Sequence, residues 1–174
     1  KAPATETIGC PNESWLTPLM RAAAQGDKKE VEKLLREGAN VNARDDYNKT
    51  ALIYAAGMGY REIVELLLNG GADINAGFGQ ETALTAAVNT GNKETVELLI
   101  SKGAKINSIN NSGKTPLMIA GDKGDREVVE LLLSNGADVN IRDNSGAAAL
   151  TDAAAMGHNE IAAGLLSRGD DLNI

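Results

Sequence analysis

Apolar residues along this chain come in paired bursts separated by polar and glycine-rich punctuation. A short Ala-rich segment, such as Arg21-Ala22-Ala23-Ala24, precedes a longer aliphatic stripe, such as Ile63, Val64, Leu66, Leu67 and Leu68. The small side chains predict a short helix that a neighbour approaches closely. The aliphatic stripe predicts a second helix burying one face. Gly26, Gly59, Gly91, Gly124 and Gly157 end the short segments, and Gly38, Gly71, Gly103, Gly136 and Gly169 end the long ones. Glycine stops a helix well because it accepts the left-handed conformation at little cost.

The bursts recur with a fixed period. Their heads are Thr17-Pro18-Leu19-Met20, Thr50-Ala51-Leu52-Ile53, Thr82-Ala83-Leu84-Thr85, Thr115-Pro116-Leu117-Met118 and Ala148-Ala149-Leu150-Thr151, spaced by 33, 32, 33 and 33 residues. A second series runs from Gly38-Ala39-Asn40-Val41-Asn42 through Gly71-Ala72-Asp73-Ile74-Asn75, Gly103-Ala104-Lys105-Ile106-Asn107 and Gly136-Ala137-Asp138-Val139-Asn140 to the degenerate Gly169-Asp170-Asp171-Leu172-Asn173. Two motifs in register over five copies rule out coincidence. Thr17 and Thr115 are placed to accept from free amides at a helix start, where the following Pro18 and Pro116 lose no hydrogen bond. Ala43-Arg44-Asp45-Asp46 and Ile141-Arg142-Asp143-Asn144 read as turn tips, with Asp and Asn closing local hydrogen bonds.

On these motifs, residues 17 to 174 resemble the ankyrin-repeat family, built on a unit of about 33 residues that opens Thr-Pro-Leu-His-x-Ala. The resemblance implies an all-α repeat solenoid, a stack of helix-turn-helix units with β-turn fingers. The units would be 17–49, 50–81, 82–114, 115–147 and 148–174, after an extension over 1–16 in which Pro3, Gly9 and Pro11 discourage a helix and Lys1 to Thr7 is expected to be mobile. The family's histidine is missing from every head, where Met20, Ile53, Thr85, Met118 and Thr151 stand instead. Its hydrogen bonds must therefore be absent or replaced. The second finger, Gly77-Phe78-Gly79-Gln80, is one residue short and lacks the acidic residue found at Asp45 and Asp143, so it should differ in shape.

Terminal repeats need a polar outer face. Glu30 and Lys33 stand in the first unit where inner units carry residues such as Ile63 and Leu66. The last unit thins to Ala162-Ala163-Gly164. The array is therefore expected to start and stop within this chain. Trp15, just ahead of the first head, either lids the first helix pair or anchors a partner.

Composition narrows the function. The net charge of −7 argues against nucleic acid and against non-specific membrane adhesion, and would steer a basic patch on a partner toward the chain. Cys10 is the only cysteine, so neither an internal disulfide nor a thiolate metal site can form. No apolar run is long enough for a membrane span. The start at Lys1 without Met fits an exported chain shorn of its signal, and equally a chain shortened otherwise. His158 is the only histidine, too far along the array from Cys10 for a nucleophilic pair. Glu32, Glu65, Glu97 and Glu130 recur at the repeat period, as a solvated or packing face does. Asp143-Asn144-Ser145-Gly146 lacks the later Glu of a calcium loop, and Gly77-Phe78-Gly79 lacks the strand and Lys of a phosphate cradle. No catalytic residue, metal or cofactor is expected.

The resemblance implies instead a non-catalytic module that binds another protein in the groove lined by fingers and first helices. Finger candidates are Arg44, Asp46, Tyr47, Phe78, Gln80, Ile109, Asn111, Arg142 and Asn144; first-helix candidates are Tyr54, Met58, Thr90, Lys123, Asp152 and Met156. Tyr47 and Phe78 either meet the partner or pack between fingers. The partner expected is an enzyme with a basic patch, bound by a chain that is monomeric when free. Similarity extends to small bacterial ankyrin proteins, including periplasmic self-protection proteins that block peptidoglycan DD-endopeptidases. That implies an inhibitor in the periplasm, with a cytoplasmic assembly or maturation factor, as for catalase, the alternative.

Overall fold

The computed structural model describes residues 16–77 and 81–169. Over these residues the chain is helical throughout, without strands. Five helix pairs follow one another: α1 (Pro18–Gln25) and α2 (Lys28–Arg36), α3 (Ala51–Gly57) and α4 (Arg61–Asn69), α5 (Ala83–Thr90) and α6 (Lys93–Ser101), α7 (Pro116–Lys123) and α8 (Arg126–Ser134), α9 (Ala149–Ala155) and α10 (Asn159–Ser167). Each pair packs on the next. The Ala-rich first helices α1, α3, α5, α7 and α9 touch closely along the stack, whereas the second helices meet more sparsely. Closer spacing on one side bends the stack toward it, so the first helices line the inside of the curve.

Local chemistry sets the helix starts. Thr17, Thr50, Thr82 and Thr115 each accept a hydrogen bond from the backbone N–H three residues on. Ala148 holds the fifth such position and has no side chain to accept one. Its site is as buried as those of Thr50 and Thr115, which fit their hydroxyls. Ala148→Thr should therefore raise the unfolding free energy by about 1 kcal/mol, read by urea denaturation.

In three of the five heads, short local bonds stand where the missing histidine would. Thr85 Oγ1 accepts from the Thr82 N–H at 2.8 Å, and Thr151 Oγ1 from the Ala148 N–H at 3.4 Å. Met118 Sδ receives the Thr115 N–H at 3.4 Å.

The core is the seam where both helices of a layer face the next layer. Leu67, Leu99, Leu132 and Leu165 of the second helices are 0% exposed, as are Val31, Val64 and Val96. Thr95 sits among them, fully buried on α6, and its Oγ1 has no partner. A buried hydroxyl with no hydrogen bond forfeits its hydration for nothing. Thr95→Val keeps the shape, so thermal melting should show a gain of about 1 kcal/mol.

Polar ladders tie the layers together. Asn42 donates to the Gly71 carbonyl at 3.1 Å and accepts from the Asp73 N–H at 2.7 Å; Asn107 accepts from the Asp138 N–H at 2.9 Å. Lys28, Lys93 and Arg126 reach Glu62, Glu127 and Glu160 of the following second helices at 2.7 to 3.1 Å. These pairs are largely exposed and guide register more than they stabilise. At the first unit, Glu30 and Lys33 form an ion pair at 3.0 Å on the outer side of α2, as the polar substitutions there predict. His158 is structural: its ring lies against Gly124 and its Nε2 is 3.0 Å from the Asp122 carbonyl oxygen.

Candidate functional site

The inner face of the curve is built from the four turn segments between units and the exposed side of the first helices. Each described finger is a self-closed turn. In the first, Asp45 Oδ1 accepts the N–H groups of Tyr47 and Lys49 at 2.9 and 2.8 Å, while Asn48 takes φ 62°. Asn110 does the same for Ser112 and Lys114, and Asp143 for Ser145 and Ala147. A short polar side chain at the turn's first corner thus satisfies the amides that the chain reversal leaves free. The second finger departs from this pattern at its root, where a Cβ on Gly77 (φ 96°) would lie 2.0 Å from the Glu81 carbonyl oxygen.

Of the finger candidates, Arg44, Asp46, Tyr47, Ile109, Asn111, Arg142 and Asn144 are exposed. Several are engaged within the fingers. Arg44 donates to Asn48 Oδ1 at 2.9 Å and Arg142 to the Gly146 carbonyl at 3.0 Å. Asn144 is a rivet between fingers: its N–H reaches the Ser112 carbonyl and its side-chain amide the Asn111 carbonyl, at 3.0 and 2.9 Å. Tyr47 and Ile109 project freely, 63% and 50% exposed. Trp15, Phe78 and Gln80 lie outside the described residues, as does the segment Lys1 to Thr7.

The first-helix candidates fall into two rows. Arg21, Tyr54, Ala86, Ile119 and Asp152 hold the fourth position after each head residue, and Gln25, Met58, Thr90, Lys123 and Met156 the eighth. Met58 and Met156 are 58% and 62% exposed, and Thr90 and Lys123 are exposed beside them. Tyr54 is half-buried, its hydroxyl donating to Asp45 Oδ2 at 2.5 Å with Lys49 Nζ 5.7 Å from the ring centre. It braces the first finger. Asp152 is likewise half-buried, inside an ion cluster.

That cluster was not foreseen. Lys114, at the foot of the third finger, lies 2.5 Å from Asp122 on α7 and 3.1 Å from Asp152 on α9. Burial pulls the Lys114 pKa down, but the hydrogen bonds and charges of the two carboxylates outweigh it and hold it above the ordinary lysine value. Burial holds the Asp152 carboxyl above the usual aspartate range against the pull of Lys114, and the neighbouring Asp122 charge adds to the rise. Lys49 forms a comparable bridge to Glu81 at 2.7 Å, joining the first two fingers. Asn89, Asp122 and Glu81 border a hollow of about 270 Å³ floored by Ile119. Asn89 and Asp122 hold the seventh position after the head, where Ala24, Gly57 and Ala155 stand. That polar substitution in an otherwise small row was the available signal.

The arrangement offers a stiff surface with mixed apolar and polar groups. No helix among the described residues is long and apolar enough to cross a membrane. A family model described as ankyrin repeats (3 copies) matches residues 5–78 and again 76–143. No curated protein matches the chain.

Proposed function

Because the chain belongs to the ankyrin-repeat family, whose repeats bind other proteins, we propose that it docks a partner protein on its inner face and carries out no catalysis of its own. The observation that carries this reading is where uncovered apolar side chains stand. Tyr47, Met58, Ile109 and Met156 lie on the fingers and first helices, against Tyr60 and Leu166 on the second helices. Tyr47 and Ile109 stand at turns closed by their own hydrogen bonds, and Met58 and Met156 cap the ends of α3 and α9, a rigid setting that lowers the ordering cost of association. Five layers give a face long enough for a standard-size interface.

Within this reading the partner is an enzyme that the chain blocks or guards, and the free chain is monomeric. General similarity to small bacterial ankyrin proteins supports a periplasmic self-protection role against a peptidoglycan DD-endopeptidase. A net charge of −7 favours encounter with a partner bearing a basic patch.

The test compares three immobilised proteins: the native chain, Tyr47→Ser with Met58→Ser, and Glu97→Lys with Glu130→Lys on the second helices. All four residues are exposed, so folding should be preserved. A protein captured from the native cell by the first and third, but at least about tenfold less by the second, supports inner-face docking. Equal capture by all three would reject it. Mixing the captured enzyme with the chain then separates inhibition, seen as lost activity, from assembly, seen as gained activity.

A further inference from the structure

We infer that the inner face takes an apolar, charge-balanced segment of its partner, and that the chain's acidic surplus has no share in that contact. The inference rests on the docking proposed above and concerns its chemistry. Across the fingers and first helices, Arg21, Arg44, Lys49, Lys114, Lys123 and Arg142 oppose Asp45, Asp46, Glu81, Asp122, Asp143 and Asp152. The face is neutral. The net charge of −7 therefore lies elsewhere in the chain.

These charges are also already used. Lys49 is bridged to Glu81, and Lys114 to Asp122 and Asp152. Asp45 serves its own turn and the Tyr54 hydroxyl; Asp143 binds Ser145 and the Ala147 N–H. Arg44 and Arg142 are held by Asn48 and the Gly146 carbonyl, and Arg21 is engaged as well. Of these twelve charges, only Asp46 and Lys123 have no side-chain partner among the described residues. A ligand charge meeting any of the other ten must displace an existing partner and recovers little more than it breaks, while the two free groups, exposed and of opposite sign, each offer only a screened contact. The uncovered side chains Tyr47, Met58, Ile109 and Met156 break no ion pair when covered, and their apolar surface gains by leaving water. An apolar occupant is the one this face rewards. The acidic residues of the second helices, Glu65, Glu97 and Glu130 among them, are left to affect the rate of encounter only.

The experiment is a selection from a randomised peptide library displayed on phage, using the native chain as bait. Winners are re-tested against Tyr47→Ser with Met58→Ser, and against Ile109→Ser with Met156→Ser, at low and high salt. Peptides weakened by either variant should be apolar with net charge near zero. Their affinity should change by less than about threefold between roughly 50 and 500 mM salt, because screening acts on charge and not on apolar contact. Face-directed peptides rich in Lys or Arg, weakened about tenfold or more over the same range, would overturn the inference while leaving the docking site in place. A selection yielding no peptide sensitive to either variant would remove the docking proposal itself, and this inference with it.

Discussion

Gly124→Ala should lower the unfolding free energy by about 3 kcal/mol, whereas Gly157→Ala should lower it by only about 1. Both glycines occupy the same place in their units and the same left-handed backbone, at φ 72° and 79°. An alanine at either position meets the cost of that conformation, on the order of 1 kcal/mol. The difference lies in the next layer. A Cβ at Gly124 would stand 2.5 Å from Cε1 and 2.7 Å from Nδ1 of His158, while nothing lies within 4 Å of one at Gly157. His158 cannot swing aside without losing its contact with the Asp122 carbonyl oxygen. Chemical denaturation of the two variants side by side measures the contrast. Equal losses would mean that ring packing against Gly124 contributes nothing to layer stacking.

Removing the cation of the ion cluster has the second largest effect. Lys114→Met strands Asp122 and Asp152, whose side chains are 25% and 14% exposed, beside each other without a counter-charge. Breaking a fully buried pair costs about 3–5 kcal/mol and an exposed one under about 1, so a partly buried cluster should lose about 2 at neutral pH. The sign with pH follows from the protons. Without Lys114, the Asp152 carboxyl, already held above the usual aspartate range by burial, loses the one cation that lowers it and is harder still to ionise in the folded chain than in the unfolded one. The deficit therefore appears as pH rises through the ordinary aspartate value near about 4, and vanishes below it. In the native chain Lys114 itself has a raised pKa, so on the alkaline side its contribution holds up to about pH 10 and is lost as pH climbs through the raised value. Melting temperatures of both proteins from acid to alkaline pH check each limb. A deficit that persists unchanged at pH 3 would reassign the loss to packing of the lysine stem.

Most of the architecture was legible because each unit repeats the same local signals. A threonine that caps, a glycine that stops and an aliphatic stripe act within about ten residues of chain, and four of the five heads cap as their threonines imply. The uncovered inner face was legible only in outline. Tyr47, Met58, Ile109 and Met156 do stand uncovered on it, but Tyr54 braces a finger and Asn144 joins two. Both look alike in sequence: a polar or aromatic residue at a variable position. Whether such a side chain is free depends on what the adjacent layer places beside it.

What the sequence determined by itself is the period, the helix limits and the turn chemistry, because these arise from backbone preferences and hydrogen bonds between near neighbours. What only the tertiary structure decided is the allocation of partners across layers. Lys114, closing the third unit, meets Asp122 on the fourth and Asp152 on the fifth, and His158 finds the Asp122 carbonyl a layer back. Such contacts depend on the spacing and rotation of stacked helices, which a one-dimensional pattern repeats but does not measure. The neutrality of the inner face could be counted from residues once the face was known; that its charges are already satisfied could not.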